Sequence, residues 1–366
     1  MLRIPFLDVR ASNLEIEVEI ARALANVLNS GTYIGGETVR KFEDAYAEYA
    51  QADYCVGVGN GLDAILIALE ALGVGAGDEV IVPAHTFIAT WLAVTRCGAI
   101  PVPVEPESNG YNIDPSQIEK AITSKTKAII VVHLYGFPAA LREILNIAHL
   151  HGLKVIEDAA QAHGAVSEGR RIGSHSDAVT WSFYPGKNLG AIGDAGAVTT
   201  NNEQLAREIR LIGNYGSAKK YEHKKIGLNS RLDPIQAAVL NIKLGYLDKW
   251  NNHRKEIAKL YISNIDKKYL PWKECVNIDE SSWHIFPIET DMRDEVMDYL
   301  GKNGIESLIH YPKPPHKQGA YSEEFNRSSF PLTEAKCSKL VSIPMGPHLD
   351  LESIEYVADV LNRFPK

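Results

Sequence analysis

Short apolar segments alternate with helical segments between residues 54 and 212, and this alternation limits the possible folds more than any other feature of the chain. The apolar segments are apolar on both faces, as strands are when helices cover a sheet from two sides. The repeated units therefore predict an α/β fold with a mostly parallel sheet between helices. The predicted strands cover residues 54–58, 79–83, 100–104, 128–134, 154–157, 178–183 and 195–199.

Four segments follow the carboxyl ends of predicted strands: Gly59–Gly61, Thr86-Phe87, Asp158 and the loop after Phe183. In open α/β sheets, ligands bind beyond the carboxyl ends of the parallel strands, so these segments are the first candidates for a site. The last two predicted strands are too close in sequence for a crossover helix. We therefore expect that part of the sheet to be antiparallel.

The last third of the chain has a different pattern. A long helical pattern runs from Asp233 to about Ile262 and is broken near Gly245. A strand at 283–288, a helix at 293–301, a second strand at 305–310 and closing helices follow. We predict a large α/β domain at residues 1–246, which begins with N-terminal helices, and a smaller α+β domain at residues 247–366.

The first N-terminal helix carries signals at both ends. Ser12 and Glu15 fit a capping box, in which each side chain satisfies a backbone N–H of the first turn. Gly31 is suited to end this helix because glycine adopts a left-handed conformation without strain. A second helix is predicted at about 38–50.

The composition argues against several classes of function. The chain has 38 Lys and Arg against 46 Asp and Glu, a net charge of −8, whereas nucleic-acid binding needs clustered positive charge. The four cysteines form no C-x-x-C, and the twelve histidines form no H-E-x-x-H, so no metal site is predicted. No apolar stretch is long enough to span a bilayer. Free thiols and the lack of a recognisable signal peptide predict a cytoplasmic protein.

Two common phosphate-binding motifs are incomplete in this sequence. Gly57, Gly59 and Gly61 begin a glycine-rich turn, but Leu62 stands where the dinucleotide fingerprint needs its third glycine. Gly186-Lys187 is followed by Asn188, so it does not form a Walker A motif. A nicotinamide oxidoreductase is therefore disfavoured.

Two features fit the two ends of an aromatic phosphate ligand. Asn60 and Gly61 lie where a strand passes into a helix, and free N–H groups at a helix N-terminus favour a phosphate. The alternative for this segment is a plain strand–helix turn. Phe87 follows the next strand and could stack on a planar ring, although aromatic residues more often pack in the core.

Two charged residues complete the set. Asp158 ends a buried strand, where a carboxylate is costly unless it is paired, and a protonated pyridine nitrogen is a suitable partner. Its alternative role is a helix N-cap. Lys187 lies on a Pro-Gly turn, and in a pocket its amine could form a Schiff base with an aldehyde. Its alternative is a surface lysine. Together the four features predict a site for pyridoxal 5′-phosphate (PLP).

The sequence also resembles the DegT–StrS family of nucleotide-sugar aminotransferases, which have PLP fold type I. The resemblance covers essentially the whole chain. The stretch 182–197 is the most specific part and resembles the subgroup that aminates C3 of dTDP-linked 3-keto-6-deoxyhexoses. Other matching stretches are 4–8, 31–36, 60–64, 83–90, 157–164, 229–233 and 309–312.

The resemblance implies a role for each matching residue. Lys187 forms the Schiff base, and Asp158 pairs with the pyridine nitrogen. Phe87 stacks on the ring, where many relatives have Tyr or Trp, and Gln161 reaches the ring hydroxyl. The phosphate is held by Ser182, by the backbone of Asn60 and Gly61, and by Asn229 of a neighbouring subunit, so the resemblance implies a homodimer with shared active sites.

The residues that the resemblance implies on the sugar side are Tyr184, His310, Tyr311 and Arg231. His310 could equally be a surface histidine beside a proline. Arg231 could attract the carboxylate of the amino donor or the diphosphate of the sugar. It could also form an ion pair with Asp233 or another acid.

The implied reaction moves an amino group from L-glutamate to the 3-keto sugar, giving 2-oxoglutarate and a dTDP-3-amino-3,6-dideoxyhexose. Some relatives have histidine in place of the lysine and are dehydratases, so Lys187 favours transamination. The alternatives are a 4-keto sugar substrate, a UDP-linked 3-keto sugar substrate, or a PLP-binding regulator without turnover. The sequence leaves open the C4 configuration of the sugar, the donor and the final product.

Overall fold

The computed structural model of the chain describes residues 3–365. Its α-helices are α1 (Val9–Glu15), α2 (Glu17–Ser30), α3 (Glu37–Tyr49), α4 (Gly61–Ala71), α5 (Ile88–Arg96), α6 (Pro115–Ala121), α7 (Leu141–His151), α8 (Glu203–Gly213), α9 (Pro234–Leu244), α10 (Leu247–Asn264), α11 (Arg293–Lys302), α12 (Pro331–Lys339) and α13 (Leu351–Asn362). Its strands are β1 (Tyr54–Val58), β2 (Glu79–Pro83), β3 (Ile100–Val104), β4 (Thr126–Val132), β5 (Lys154–Asp158), β6 (Val166–Ser167), β7 (Arg170–Arg171), β8 (Ala178–Ser182), β9 (Gly196–Thr200), β10 (Ser217–Lys219), β11 (Glu222–His223), β12 (Phe286–Glu289) and β13 (Leu340–Ile343).

The main sheet has seven strands in the order β1-β9-β8-β5-β4-β2-β3. β3, β2, β4, β5 and β8 pair in parallel, and β9 is antiparallel to both of its neighbours, β8 and β1. The predicted mostly parallel sheet and its predicted antiparallel part are both confirmed. β1 therefore runs in the same direction as the five parallel strands, and all six have their carboxyl ends at one edge.

Helices cover both faces of this sheet, and the strands are apolar for that reason. In β4, Ile129 and Val131 pack into one apolar cluster, while Ala128 and Ile130 pack into a second cluster on the opposite face. All four side chains are fully buried. Burial on both faces explains why the sequence shows continuous apolar runs rather than an alternating pattern.

A third apolar cluster lies in the C-terminal part of the chain. It is formed largely by α10, α11, α13, β12 and β13, and it also takes in Ile4, Tyr135 and Phe137. The predicted break near Gly245 is confirmed, because α9 ends at Leu244 and α10 begins at Leu247. The domain boundary between residues 246 and 247 stays a prediction.

Several local predictions were wrong. Asp8, and not Ser12, caps the first helix: its carboxylate accepts hydrogen bonds from the N–H groups of Arg10 and Ala11. The predicted N-terminal helix is also divided at Ile16 into α1 and α2.

The C-terminal strands differ from the prediction as well. Residues 305–310 form no strand, because their backbone pairs only through isolated bridges from Ile305 to Ile4 and from Leu308 to Ser342. The strand expected at 283–288 begins only at Phe286. It pairs with β13, which the sequence pattern did not indicate among the closing helices.

Two properties of the described residues bear on possible partners. Among residues 3–365, no helix has the length and apolar composition needed to cross a bilayer. The same residues contain no group of three or more His, Cys, Asp or Glu side chains placed to hold a metal ion.

Candidate active site

A cavity of about 1690 Å³ opens at the carboxyl edge of the main sheet. Typical sites for one small ligand measure about 300–1,000 Å³, so this one has room for more than a single small molecule. Ten of the residues predicted from the sequence line it: Asn60, Gly61, Phe87, Asp158, Gln161, Ser182, Tyr184, Lys187, His310 and Tyr311. The structure thus brings together side chains from segments that are far apart in the chain.

Asp158 ends β5 and is buried, with 7% of its surface exposed. Its Oδ1 accepts a hydrogen bond from the backbone N–H of Ala160 at 3.2 Å, and its Oδ2 accepts one from Thr90 Oγ1 at 3.0 Å. Burial raises the pKa of Asp158, while the bonds from Thr90 and Ala160 and the nearby charge of Lys187 act in the opposite direction. A positively charged partner in the cavity would stabilise its carboxylate form further.

Thr90 is a site residue that the sequence analysis missed. It lies inside α5 and is fully buried. The hydroxyl group of Thr90 donates its hydrogen to Asp158. The oxygen atoms of Thr90 and Thr86 are 3.1 Å apart, and Thr86 must be the donor in that bond because the hydrogen of Thr90 is already used. A short chain of hydroxyl groups thus orients the Asp158 carboxylate. The two threonines are 68 and 72 positions from Asp158, so no local sequence pattern indicates the contact.

Lys187 lies on a turn after β8, where its backbone N–H donates to the carbonyl of Tyr184 at 2.8 Å. The next residue, Asn188, is buried and anchors this turn to the C-terminal part of the chain through the carbonyl of Ser282. Burial lowers the pKa of Lys187 to about 8, and the charge of Asp158 acts in the opposite direction. A larger share of the amine is therefore neutral, and so nucleophilic, near neutral pH than for an exposed lysine.

The N-terminus of α4 and the end of β8 are in close contact. A Cβ atom on Gly61 would lie 2.6 Å from Ser182 Cβ, so only glycine fits at this position. The Asn60 side chain caps the helix by accepting from the N–H of Asp63 at 2.9 Å. This leaves backbone N–H groups of the first turn and the Ser182 hydroxyl beside the cavity, which suits an anionic phosphate.

Two hydrogen bonds hold Gln161 in the cavity wall. Its Oε1 accepts a hydrogen bond from the N–H of Tyr135, and its Nε2 donates to the hydroxyl of Tyr311 at 3.0 Å. The second Nε2 hydrogen is left for a ligand oxygen. The ring of Phe87 lies 5.2 Å from that of Tyr311, and Phe87 is 51% exposed, so its ring is available for stacking.

His310 and Tyr184 are on the cavity wall but differ in setting. His310 Nδ1 is 2.8 Å from Ser342 Oγ, its ring stacks on Phe6, and its carbonyl accepts from the Tyr135 hydroxyl. Burial and the charge of Lys187 lower the pKa of His310 to about 4, so its imidazole is neutral near pH 7. Tyr184 is 59% exposed, and its side chain is not held in this way.

Two predicted residues lie outside the cavity wall. Asn229 is exposed and forms an isolated bridge with Asn214. Arg231 donates to Asn214 Oδ1 at 2.9 Å, and its guanidinium lies 5.4 Å from the centre of the Tyr215 ring. Within residues 3–365 Arg231 forms no ion pair with Asp233, so no contact supports the alternative that Arg231 is part of such a pair.

The residues of the cavity fit pyridoxal phosphate. A cradle for the phosphate, an aromatic ring for stacking, a buried carboxylate and a buried amine of lowered pKa are all present around one space. The individual roles of these residues stay predictions.

The chain is similar to one protein family over most of its length. Residues 14–362 match the model of the DegT/DnrJ/EryC1/StrS aminotransferase family. One relative, the dTDP-3-amino-3,6-dideoxy-alpha-D-galactopyranose transaminase of Aneurinibacillus thermoaerophilus, is 50% identical over 99% of both chains. Another, the erythromycin biosynthesis sensory transduction protein EryC1 of Saccharopolyspora erythraea, is 48% identical over 98% of both.

The fold is also that of a solved structure. The crystal structure of DesV from S. venezuelae in complex with a ketimine intermediate matches with a TM-score of 0.96 and 46% sequence identity. The match covers 99% of this chain and 98% of that one.

The lowered pKa of Lys187 predicts how the apoenzyme takes up PLP. The neutral amine is the nucleophile, and its fraction rises as the pH increases through the pKa. The rate of covalent uptake should therefore rise with pH with a midpoint near 8, as followed by absorbance after mixing. A midpoint above 10, as for an exposed lysine, would contradict this environment.

The contact between Thr90 and Asp158 predicts a second effect. Thr90→Val removes the donor without changing the shape of the side chain, so the pKa of Asp158 should rise further and its carboxylate should become a poorer partner for a ring nitrogen. We expect the dissociation constant of PLP to increase about tenfold, and kcat to fall. Thr90→Ser keeps the hydroxyl and should resemble the wild type. Unchanged PLP affinity in the valine variant would show that the bond has no such role.

Proposed function

The chain belongs to the DegT/DnrJ/EryC1/StrS aminotransferase family, and we propose that it transfers an amino group from L-glutamate to C3 of a dTDP-linked 3-keto-6-deoxyhexose. The products are a dTDP-3-amino-3,6-dideoxyhexose and 2-oxoglutarate. The cofactor of the enzyme is pyridoxal 5′-phosphate, with pyridoxamine phosphate as its amine form.

One observation carries the proposal: the Lys187 amine and the Asp158 carboxylate line the same cavity, and the charge of each shifts the pKa of the other. These are the two groups that a PLP enzyme needs on either side of its ring, one at the aldehyde and one at the pyridine nitrogen. The similarity to transaminases named for dTDP-3-amino sugars supports the choice of substrate.

The residues that would hold the cofactor lie around the cavity. The first turn of α4 and Ser182 would bind the phosphate, Phe87 would stack on the ring, and Gln161 would donate to the ring hydroxyl. Bound PLP supplies an aldehyde for amino transfer and a pyridinium ring that withdraws electrons from the reacting carbon.

Two groups of the chain handle protons in this reaction. Asp158 would keep the ring nitrogen protonated, because that positive charge would stabilise the buried carboxylate. Lys187 Nζ would hold the cofactor at its aldehyde, and as a free amine it would move a proton to and from the substrate carbon. The lowered pKa of Lys187 helps here, since the amine must give up and accept a proton near neutral pH.

The size of the cavity supports a sugar nucleotide as the second substrate. A volume of about 1690 Å³ exceeds what the cofactor and a small amino acid need. Tyr184, His310 and Tyr311 line the same cavity as Lys187 and would face the sugar. We assign Arg231 no ion-pair role and keep it as a candidate for the donor carboxylate or the diphosphate.

We further propose a homodimer in which Asn229 completes the phosphate site of a second copy. Asn229 is exposed and outside the cavity of its own chain, and the nearby Tyr221 and Ile226 are 82% and 98% exposed. Exposed apolar residues on a segment of this kind support an interface. Sedimentation equilibrium tests the proposal, and a monomeric mass would contradict it.

The four cysteines, all free, support a reducing compartment, and we propose a cytoplasmic location on that basis. Localisation of the tagged protein by cell fractionation tests this, and recovery in an extracellular fraction would contradict it.

A PLP-binding regulator without turnover is the second candidate, because a relative that is 48% identical is named a sensory transduction protein. Such a protein would bind PLP with the same residues. It would not release 2-oxoglutarate when glutamate and a keto sugar are both present.

A substrate panel tests the proposed function. Purified holoenzyme and glutamate are incubated with dTDP-linked 3-keto-6-deoxyhexoses of both C4 configurations, with a dTDP-linked 4-keto sugar and with a UDP-linked 3-keto sugar. We expect a dTDP-3-amino sugar by mass spectrometry, together with 2-oxoglutarate, and no product from Lys187→Ala. Preference for the 4-keto or UDP-linked sugar would contradict the proposed substrate, and inactivity with all of them would favour the regulator.

A further inference from the structure

His284 lies beside Lys187 in the structure, although it is 97 positions away in the sequence. It lines the same cavity as Lys187, His310 and Tyr311. Its Nδ1 is 3.1 Å from Oδ1 of Asn188, the residue that follows Lys187. The imidazole is therefore fixed next to the turn that carries the reactive amine.

The orientation of the Asn188 amide follows from its other contacts. Its Nδ2 donates to the carbonyl of Ser282 at 2.7 Å, and a carbonyl can only accept. The same Nδ2 donates to Asn251 Oδ1 at 2.9 Å, while Asn251 Nδ2 donates to the carbonyl of His163 at 2.7 Å. Two backbone carbonyls thus fix both amides, and Asn188 Oδ1 must be the acceptor of the bond with His284.

This fixes the tautomer of His284. Its Nδ1 must carry the hydrogen, because Asn188 Oδ1 has none to give. Burial and the charge of Lys187 lower the pKa of His284 well below its ordinary value, which favours the neutral ring. Nε2 is then an unprotonated nitrogen with a free lone pair.

The Nε2 atom is available to a ligand. It has no hydrogen-bond partner among residues 3–365, and it is not one of their fully buried unpaired polar atoms. Since His284 is half-buried and lines the cavity, this atom is reached from the cavity. The site therefore presents a pure hydrogen-bond acceptor close to Lys187, and its natural complement is a hydroxyl group.

We propose that His284 is a substrate-binding residue whose Nε2 accepts a hydrogen bond from a hexose hydroxyl at C2 or C4, next to the carbon that receives the amino group. This inference rests on the proposed function. It adds a residue that selects sugars by the hydroxyl group beside C3.

His284→Asn is the most informative variant. The Asn side-chain amide can replace the Nδ1–H donor to Asn188, so the fold should be retained, but it does not reach the position of Nε2. Equal thermal unfolding temperatures of variant and wild type would confirm that the structure is kept. His284→Phe, which removes both nitrogens, is a second variant for comparison.

The two halves of the reaction are measured separately by the change in cofactor absorbance. In the first, the PLP form is mixed with glutamate. In the second, the PLP form is mixed with a dTDP-3-amino-3,6-dideoxyhexose, or with its 2-deoxy or 4-deoxy counterpart. We expect His284→Asn to lower kcat/KM for the full amino sugar about tenfold and to leave the glutamate reaction within about twofold.

The deoxy sugars give the decisive comparison. For the wild type, kcat/KM should be about tenfold lower with one of the two deoxy sugars than with the dTDP-3-amino-3,6-dideoxyhexose. For His284→Asn, kcat/KM should be the same with these two sugars. If the deoxy sugar lowers kcat/KM equally in the wild type and in His284→Asn, the inference is overturned. It is also overturned if His284→Asn lowers the rate of the glutamate reaction as much as that of the sugar reaction, because His284 would then act on Lys187 or the cofactor. No reaction of the wild type with any amino sugar would overturn the proposed function itself, and the inference with it.

Discussion

The direction of the strands in the main sheet is the constraint on which the site depends. Six of the seven strands point the same way, so the turns after β1, β2, β5 and β8 meet at one edge. Each turn contributes a different kind of group: backbone N–H groups, an aromatic ring, a carboxylate and an amine. Because these strands are buried on both faces, their register leaves little freedom in where the four groups lie.

Burial gives the two charged groups their chemical character. It raises the pKa of Asp158 and lowers that of Lys187, so it favours the neutral form of both. The fold opposes this for Asp158 with donors from Thr90 and Ala160. A protonated ring between the two would stabilise the carboxylate and leave the amine neutral. The protein is thus arranged for a cationic aromatic ligand that carries an aldehyde.

Much of the fold could be predicted from the sequence, because continuous apolar strands and glycine turns are local signals. The segment 305–310 could not, since its apolar residues support only isolated bridges. In the site, Lys187 and Asp158 stand beside turns that mark strand ends. Thr90 and His284 carry no such signal, because each acts through a partner brought close only by the tertiary fold: Asp158 for Thr90, and Asn188 for His284.

The proposed chemistry requires one PLP ring to be attached to Lys187 and to have Asp158 at its nitrogen. The most direct test is to reduce the holoenzyme with borohydride, digest it and locate the phosphopyridoxyl group by mass spectrometry. We expect one modified peptide, with the group on Lys187. A group on any other lysine, or none after saturation with PLP, would contradict it.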